Sequence, residues 1–103
     1  MLFGDKIKQL RDNCRMPQRQ LAAELGIDTA TYCKIERGER RAKREQVVTL
    51  AKLFKTAKEE LLNLWLADQV YSVVKDEENA EKVLDIVHES IAEYKTDFYK
   101  RKV

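Results

Sequence analysis

A chain of 103 residues with 20 Lys/Arg, 18 Asp/Glu, 3 Gly and 1 Pro has room for one small domain and an appendage, and its composition favours helices over a turn-rich β fold. No apolar run approaches the roughly 20 residues that span a bilayer, and Met1-Leu2-Phe3-Gly4-Asp5 lacks the basic-then-apolar profile of a signal peptide, so a cytoplasmic protein is expected. Two cysteines and one histidine build neither a disulfide framework nor a metal-ligand cluster. No metal or other cofactor is therefore expected, and no nucleophile, base and orienting group of an enzyme can be named.

In chain order, Phe3, Ile7, Leu10 and Cys14 recur at helical spacing and are read as the buried face of a first helix. Two short helical patterns follow between Pro17 and Gly38, hinged at Gly26-Ile27. Leu21, Ala22 and Leu25 form an apolar face on one, Tyr32 and Ile35 on the other, so two helices too short to stand alone can pack together. At about 100° per residue, Thr29, Ala30, Cys33, Lys34 and Arg37 lie opposite Tyr32 and Ile35, a polar strip narrow enough for a major groove. Lys34, Arg37, Arg40, Arg41, Lys43 and Arg44 then fall within 11 residues, a cluster suited to the phosphates beside a groove. Charge divides the chain accordingly: residues 1–60 carry 14 basic against 9 acidic residues, net +5, and residues 61–103 carry 6 against 9, net −3.

The run Leu61-Leu62-x-Leu64-Trp65-Leu66 is read as core or interface packing, and His88 as solvated helix surface. After the acidic break at residues 75–79, Ala80, Leu84, Val87, Ile91, Tyr94 and Phe98 are spaced 4, 3, 4, 3, 4, a heptad-type seam widened by Val83. This amphipathic helix can pair with a symmetry mate or fold back on Leu64–Val74, and the pattern does not choose.

Ile7-x-x-Leu10-Arg11, Gln18-x-x-Leu21-Ala22-x-x-x-Gly26-Ile27, Ile35-Glu36-x-Gly38, Leu50-Ala51-x-x-Phe54 and Leu61-Leu62 stand in the order and spacing of the XRE, or Cro/CI-like, repressors, which the chain resembles from about Phe3 to Leu66. The resemblance implies an all-α protein: a five-helix phage-repressor-like DNA-binding domain with a helix-turn-helix over residues 1–66, and a helical extension over 67–103 for dimerisation. It places helices near Phe3–Cys14, Gln18–Leu25, Thr29–Arg37, Glu45–Phe54 and from Lys58 onward, the third reading DNA.

By the same resemblance Thr29, Ala30 and Lys34 occupy the base-reading positions, where a Lys can donate to guanine and the methyls can pack on thymine. Gln18 matches a residue that touches phosphate and braces the reading helix. Arg19, Thr31, Arg37, Arg40, Arg41, Lys43 and Arg44 complete the expected phosphate-contacting set. Arg11 and Glu36 match residues that pair between the first and third helices as a structural clamp. Asp28 is the expected N-cap of the reading helix, and Cys33 lies on that helix's exposed side. The chain departs from the family pattern at Pro17, in place of a capping residue, at Lys55, where a Gly often ends the fourth helix, and at Ala57, in place of a cap Ser. The expected function is a dimeric, sequence-specific DNA-binding regulator of transcription, a repressor on a palindromic operator, with RNA polymerase contact as the route to activation. The alternatives are an antitoxin whose C-terminal helices bind a toxin, and a protein-interaction adaptor.

Overall fold

The computed structural model describes residues 2–102, and the side chains of all of these except Tyr99, Arg101 and Lys102. Among the described residues there are six helices and no strand: α1 (Leu2–Asn13), α2 (Gln18–Leu25), α3 (Thr29–Glu36), α4 (Arg44–Leu53), α5 (Lys58–Val74) and α6 (Ala80–Lys102). None of them is long and apolar enough to cross a membrane. The chain divides into two compact units, Met1–Val70 and Tyr71–Val103, with the division falling inside α5.

In the first unit the apolar faces of five helices converge on one core. Phe3 and Ile7 come from α1, Leu21 and Ala22 from α2, Tyr32 and Ile35 from α3, Val47, Leu50 and Ala51 from α4, and Leu61 from α5, with Ala42 and Phe54 closing the loops around α4. Each fully buried Leu, Ile or Val side chain contributes about 1.5–3 kcal/mol relative to exposure, so helices of 8 residues such as α2 and α3 are held by packing rather than by propensity.

Two long-range devices fix α1. The carboxylate of Asp68, on α5, accepts hydrogen bonds from the backbone N–H groups of Leu2 and Phe3, both at 2.8 Å, so the first turn of α1 is capped from 66 residues away. Gly4 sits against α3, where an added Cβ would run into the Glu36 carbonyl oxygen. The missing side chain lets two helix backbones touch.

Cys14 is exposed, which corrects its reading as a core residue. The 3-7-10-14 face exists only while the helix does, and α1 ends at Asn13. Arg15 then takes φ 55°, turning the chain, and Met16 packs on the core instead.

The three departures from the family pattern have local outcomes. Pro17 is the N-cap of α2 with φ −71° and ψ 151° and gives no side-chain cap; its ring presets the turn. Lys55 adopts φ 54°, so α4 does end in a left-handed residue, and a side chain bears the strain that Gly would avoid. Ahead of α5 the Ala57 carbonyl accepts from Glu60 N–H at 3.2 Å, a backbone turn in place of a side-chain cap. At α4, whose N-cap Lys43 has no acceptor in its side chain, Gln46 Oε1 reaches back to the Lys43 N–H at 2.8 Å.

In the second unit α6 begins with the Val83 N–H bonded to the Asn79 carbonyl at 3.0 Å. Ala80 is half-buried and every described side chain beyond it is exposed, including Leu84, Val87, Ile91, Tyr94 and Phe98.

Candidate nucleic-acid interface

The turn between α2 and α3 is built by three adjacent residues. Gly26, at φ 69°, caps α2 in the left-handed region, and the N–H groups of Gly26 and Ile27 return to the carbonyls of Ala23 and Ala22 at 3.1 and 3.0 Å. No atom stands within 4 Å of an added Cβ there, so the glycine answers the backbone angle and not a lack of space. Asp28 then caps α3, its Oδ1 accepting from the Thr31 N–H at 2.6 Å. Hydrogen bonding to the Thr31 side chain, and next to its backbone N–H, holds the Asp28 carboxyl below its usual pKa, so the acid stays charged at the positive end of α3.

Tyr32 and Ile35 are buried against the core and turn the opposite side of α3 outward. Thr29, Ala30 and Lys34 are exposed along that side, and Thr31 is half-buried. Cys33, expected on the exposed side, is half-buried because its Sγ sits 3.1 Å from Gln18 Oε1. Both ends of the Gln18 amide are therefore engaged, since Nε2 donates to Glu36 Oε1 at 3.3 Å. In this structure the residue braces α3 from the start of α2.

Beneath this brace lies the ion pair of Arg11 and Glu36. Arg11 Nε donates to Glu36 Oε2 at 2.9 Å and Nη2 to Oε1 at 3.1 Å, while Nη1 donates to the Met16 carbonyl at 3.2 Å. Burial pushes the Glu36 carboxyl upward, but the Arg11 hydrogen bond, the neighbouring Tyr32 hydroxyl, the Arg11 charge and the Gln18 bond outweigh it and hold the pKa below the ordinary value. Arg11 is correspondingly raised, first by its hydrogen bond to Glu36. Tyr32 Oη is buried without a hydrogen-bond partner of ordinary geometry. Burial and the nearby Glu36 charge raise its pKa, so the phenol is neutral. Three helices thus meet at one carboxylate: Arg11 from α1, Gln18 from α2 and Glu36 itself from α3.

The basic residues divide by what else holds them. Arg19 is exposed at the start of α2, and Arg40, Arg41 and Lys43 are exposed in the loop after α3. Arg37 pairs with Glu39 at 3.1 Å, both side chains more than half exposed, a contact that solvent screens and a stronger anion can replace. Arg44 lies over the Trp65 ring, 5.2 Å from its centroid, and the indole Nε1 donates to the Ala42 carbonyl at 2.8 Å. Trp65 therefore fastens α5 to the basic loop and holds one cation in place.

Gly4 and Asp68 were not singled out by sequence. A glycine inside an apolar helical pattern is itself a sign of close backbone approach, because it costs about 1 kcal/mol relative to Ala. Asp68 carries no such sign, since its partners are backbone N–H groups at the far end of the chain.

Two short helices joined by a left-handed glycine, the second presenting a polar face backed by core residues and followed by a basic loop, define a DNA-binding helix-turn-helix domain. The chain belongs to the helix-turn-helix domain family, whose model matches residues 2–65, in keeping with the XRE-type resemblance. No match was found among curated proteins or among solved structures. The protein is thus a DNA-binding regulator in its general class.

Proposed function

We propose that the protein is a dimeric, sequence-specific repressor of transcription that binds a palindromic operator, with residues 1–66 as the DNA-binding domain and 67–103 as the dimerising extension. The observation that carries this reading is the outward face of α3, where Thr29, Ala30 and Lys34 are exposed on a helix fixed from behind by Tyr32, Ile35 and the Arg11–Glu36–Gln18 cluster. In this proposal α3 enters the major groove, Lys34 donates to guanine, and the methyls of Thr29 and Ala30 meet thymine. Arg19, Thr31, Arg37, Arg40, Arg41, Lys43 and Arg44 contact phosphates on either side, and Gln18 reaches phosphate while keeping its brace on α3. Occupation of an operator overlapping a promoter then blocks polymerase sterically.

Selection of duplexes from a random pool by the full-length protein, followed by binding at several salt concentrations, tests the proposal. A two-fold-symmetric site whose affinity falls steeply with salt is expected. Binding that shows no sequence preference, or none to duplex DNA at all, would remove it.

A further inference from the structure

The seam of α6 is an apolar surface left open by the fold: Leu84, Val87, Ile91 and Phe98 are 39–49% exposed and Tyr94 is 70% exposed. Resting on the dimeric reading above, we infer that α6 pairs with α6 of a second copy in antiparallel orientation, with Ala80 of each chain set against Phe98 of the other. Three observations choose the second copy and the direction.

Charge is lopsided along the stretch made of the turn at residues 76–79 and α6. Residues 76–89 contain six acidic residues and one basic, net −5, whereas residues 90–103 contain two acidic and four basic, net +2. A parallel pair lays like charge beside like charge at both ends, and an antiparallel pair lays opposite charge beside opposite charge twice.

Side-chain size along the seam gives the same direction. The series runs from Ala80 at one end to Tyr94 and Phe98 at the other, and the two rings stack on each other with centroids 6.2 Å apart and planes 24° from parallel. In a parallel pair this aromatic plate meets its own copy while Ala80 meets Ala80, so the helices are forced apart at one end and leave a void at the other. In an antiparallel pair the layers become Ala80 with Phe98, Leu84 with Tyr94 and Val87 with Ile91, each joining a smaller side chain to a larger one, and the helices keep an even separation.

The flanks agree. With the seam residues at a and d positions, Glu81 and Lys95 both follow a d residue, and in the antiparallel register they face each other across the interface, twice per dimer. Val83 faces Asp97 on the other flank without a charge pair. The parallel register sets Lys95 against Ser90 and His88 against Val83, and its one opposite-charge pair is Asp97 with Lys102. At about 1.5 Å per residue the two Ala80 residues then stand about 27 Å apart along the pair. Each chain then enters the pair from the end opposite to its partner's.

Disulfide trapping of the full-length protein decides the matter, in a background carrying Cys14→Ser and Cys33→Ser so that only introduced thiols react. Sedimentation at micromolar concentration first establishes the oligomer. For the antiparallel pair, a mixture of Glu81→Cys and Lys95→Cys chains oxidises to a species of doubled mass, and Ala80→Cys alone does not. Self-linking by Ala80→Cys, or a dimer in which neither arrangement links, overturns the antiparallel inference and leaves the dimeric reading standing. A monomer, the outcome if α6 folds on its own chain or receives a different protein, overturns both.

Discussion

Replacing Arg11 with Ala should cost more stability than replacing Glu36, although each substitution removes the same ion pair. The Glu36 side chain is 4% exposed and that of Arg11 15%, so the acid depends more on its partner. Without Arg11 the carboxylate keeps the Gln18 hydrogen bond at 3.3 Å and the neighbouring Tyr32 hydroxyl, and must stay charged while desolvated or take up a proton. Protonation from an ordinary Glu value at neutral pH costs about 3–4 kcal/mol, which caps the penalty, and stranding one partner of a buried pair costs about 3–5 kcal/mol. The expected loss is therefore about 3 kcal/mol. Without Glu36, Arg11 keeps the Met16 carbonyl at 3.2 Å and Asp12 at 3.6 Å and draws on solvent, so the loss is about 1–2 kcal/mol. The double variant should cost less than the two together by about 1–2 kcal/mol. The two single variants also differ in their response to acid. In the native protein the folded Glu36 pKa is depressed, so its contribution is present above the unfolded value and is lost as pH falls through the folded one. In Arg11→Ala the uncompensated burial raises the folded pKa above the unfolded one, the folded state binds the extra proton, and stability rises as pH falls from about 7 to about 5. Urea denaturation of the native protein, both single variants and the double variant at the two pH values reads every one of these differences. Equal single costs, strict additivity, or an Arg11→Ala protein that does not gain stability on acidification would refute the reasoning.

Lys34→Ala should relax base preference at one position of each half-site at a cost of about 1–3 kcal/mol, while Arg40→Ala or Arg41→Ala should weaken all duplexes alike and reduce the salt slope by about 1; duplex selection and salt titration separate the two classes. Gly4→Ala should destabilise the fold by about 1–3 kcal/mol, since the Glu36 carbonyl is backbone and cannot rotate away, and this exceeds the roughly 1 kcal/mol of helix propensity gained; chemical denaturation gives the sign. Lys55→Gly should stabilise the protein by about 0.5–1 kcal/mol by relieving the left-handed residue at φ 54°, and a melting temperature that falls instead would contradict it.

What could be read from the sequence follows the reach of each interaction. The Gly26-Ile27 hinge, the Asp28 cap and the opposed faces of α3 depend on residues within one or two turns of each other, so spacing alone shows them. Lys55 was recognisable by contrast with a family glycine, and its left-handed φ is the local consequence. Cys14 failed because a periodic face says nothing about where the helix stops, and the stop is set by Arg15 in the left-handed region. The meeting of Arg11 with Glu36 was legible only through resemblance, because 25 residues separate them. The capture of both ends of the Gln18 amide, by Glu36 and by Cys33, needed two helices to be placed against each other.

The Asp68 carboxylate has a consequence for where this domain can be cut. The family match ends at residue 65, yet the N–H groups of Leu2 and Phe3 find their acceptors three residues further on. A fragment trimmed to the family's edge would strand two amides at the head of α1 and loosen the helix that carries Arg11. The same geometry bears on synthesis: a nascent chain cannot complete the cap of its first helix until Asp68 has left the ribosome.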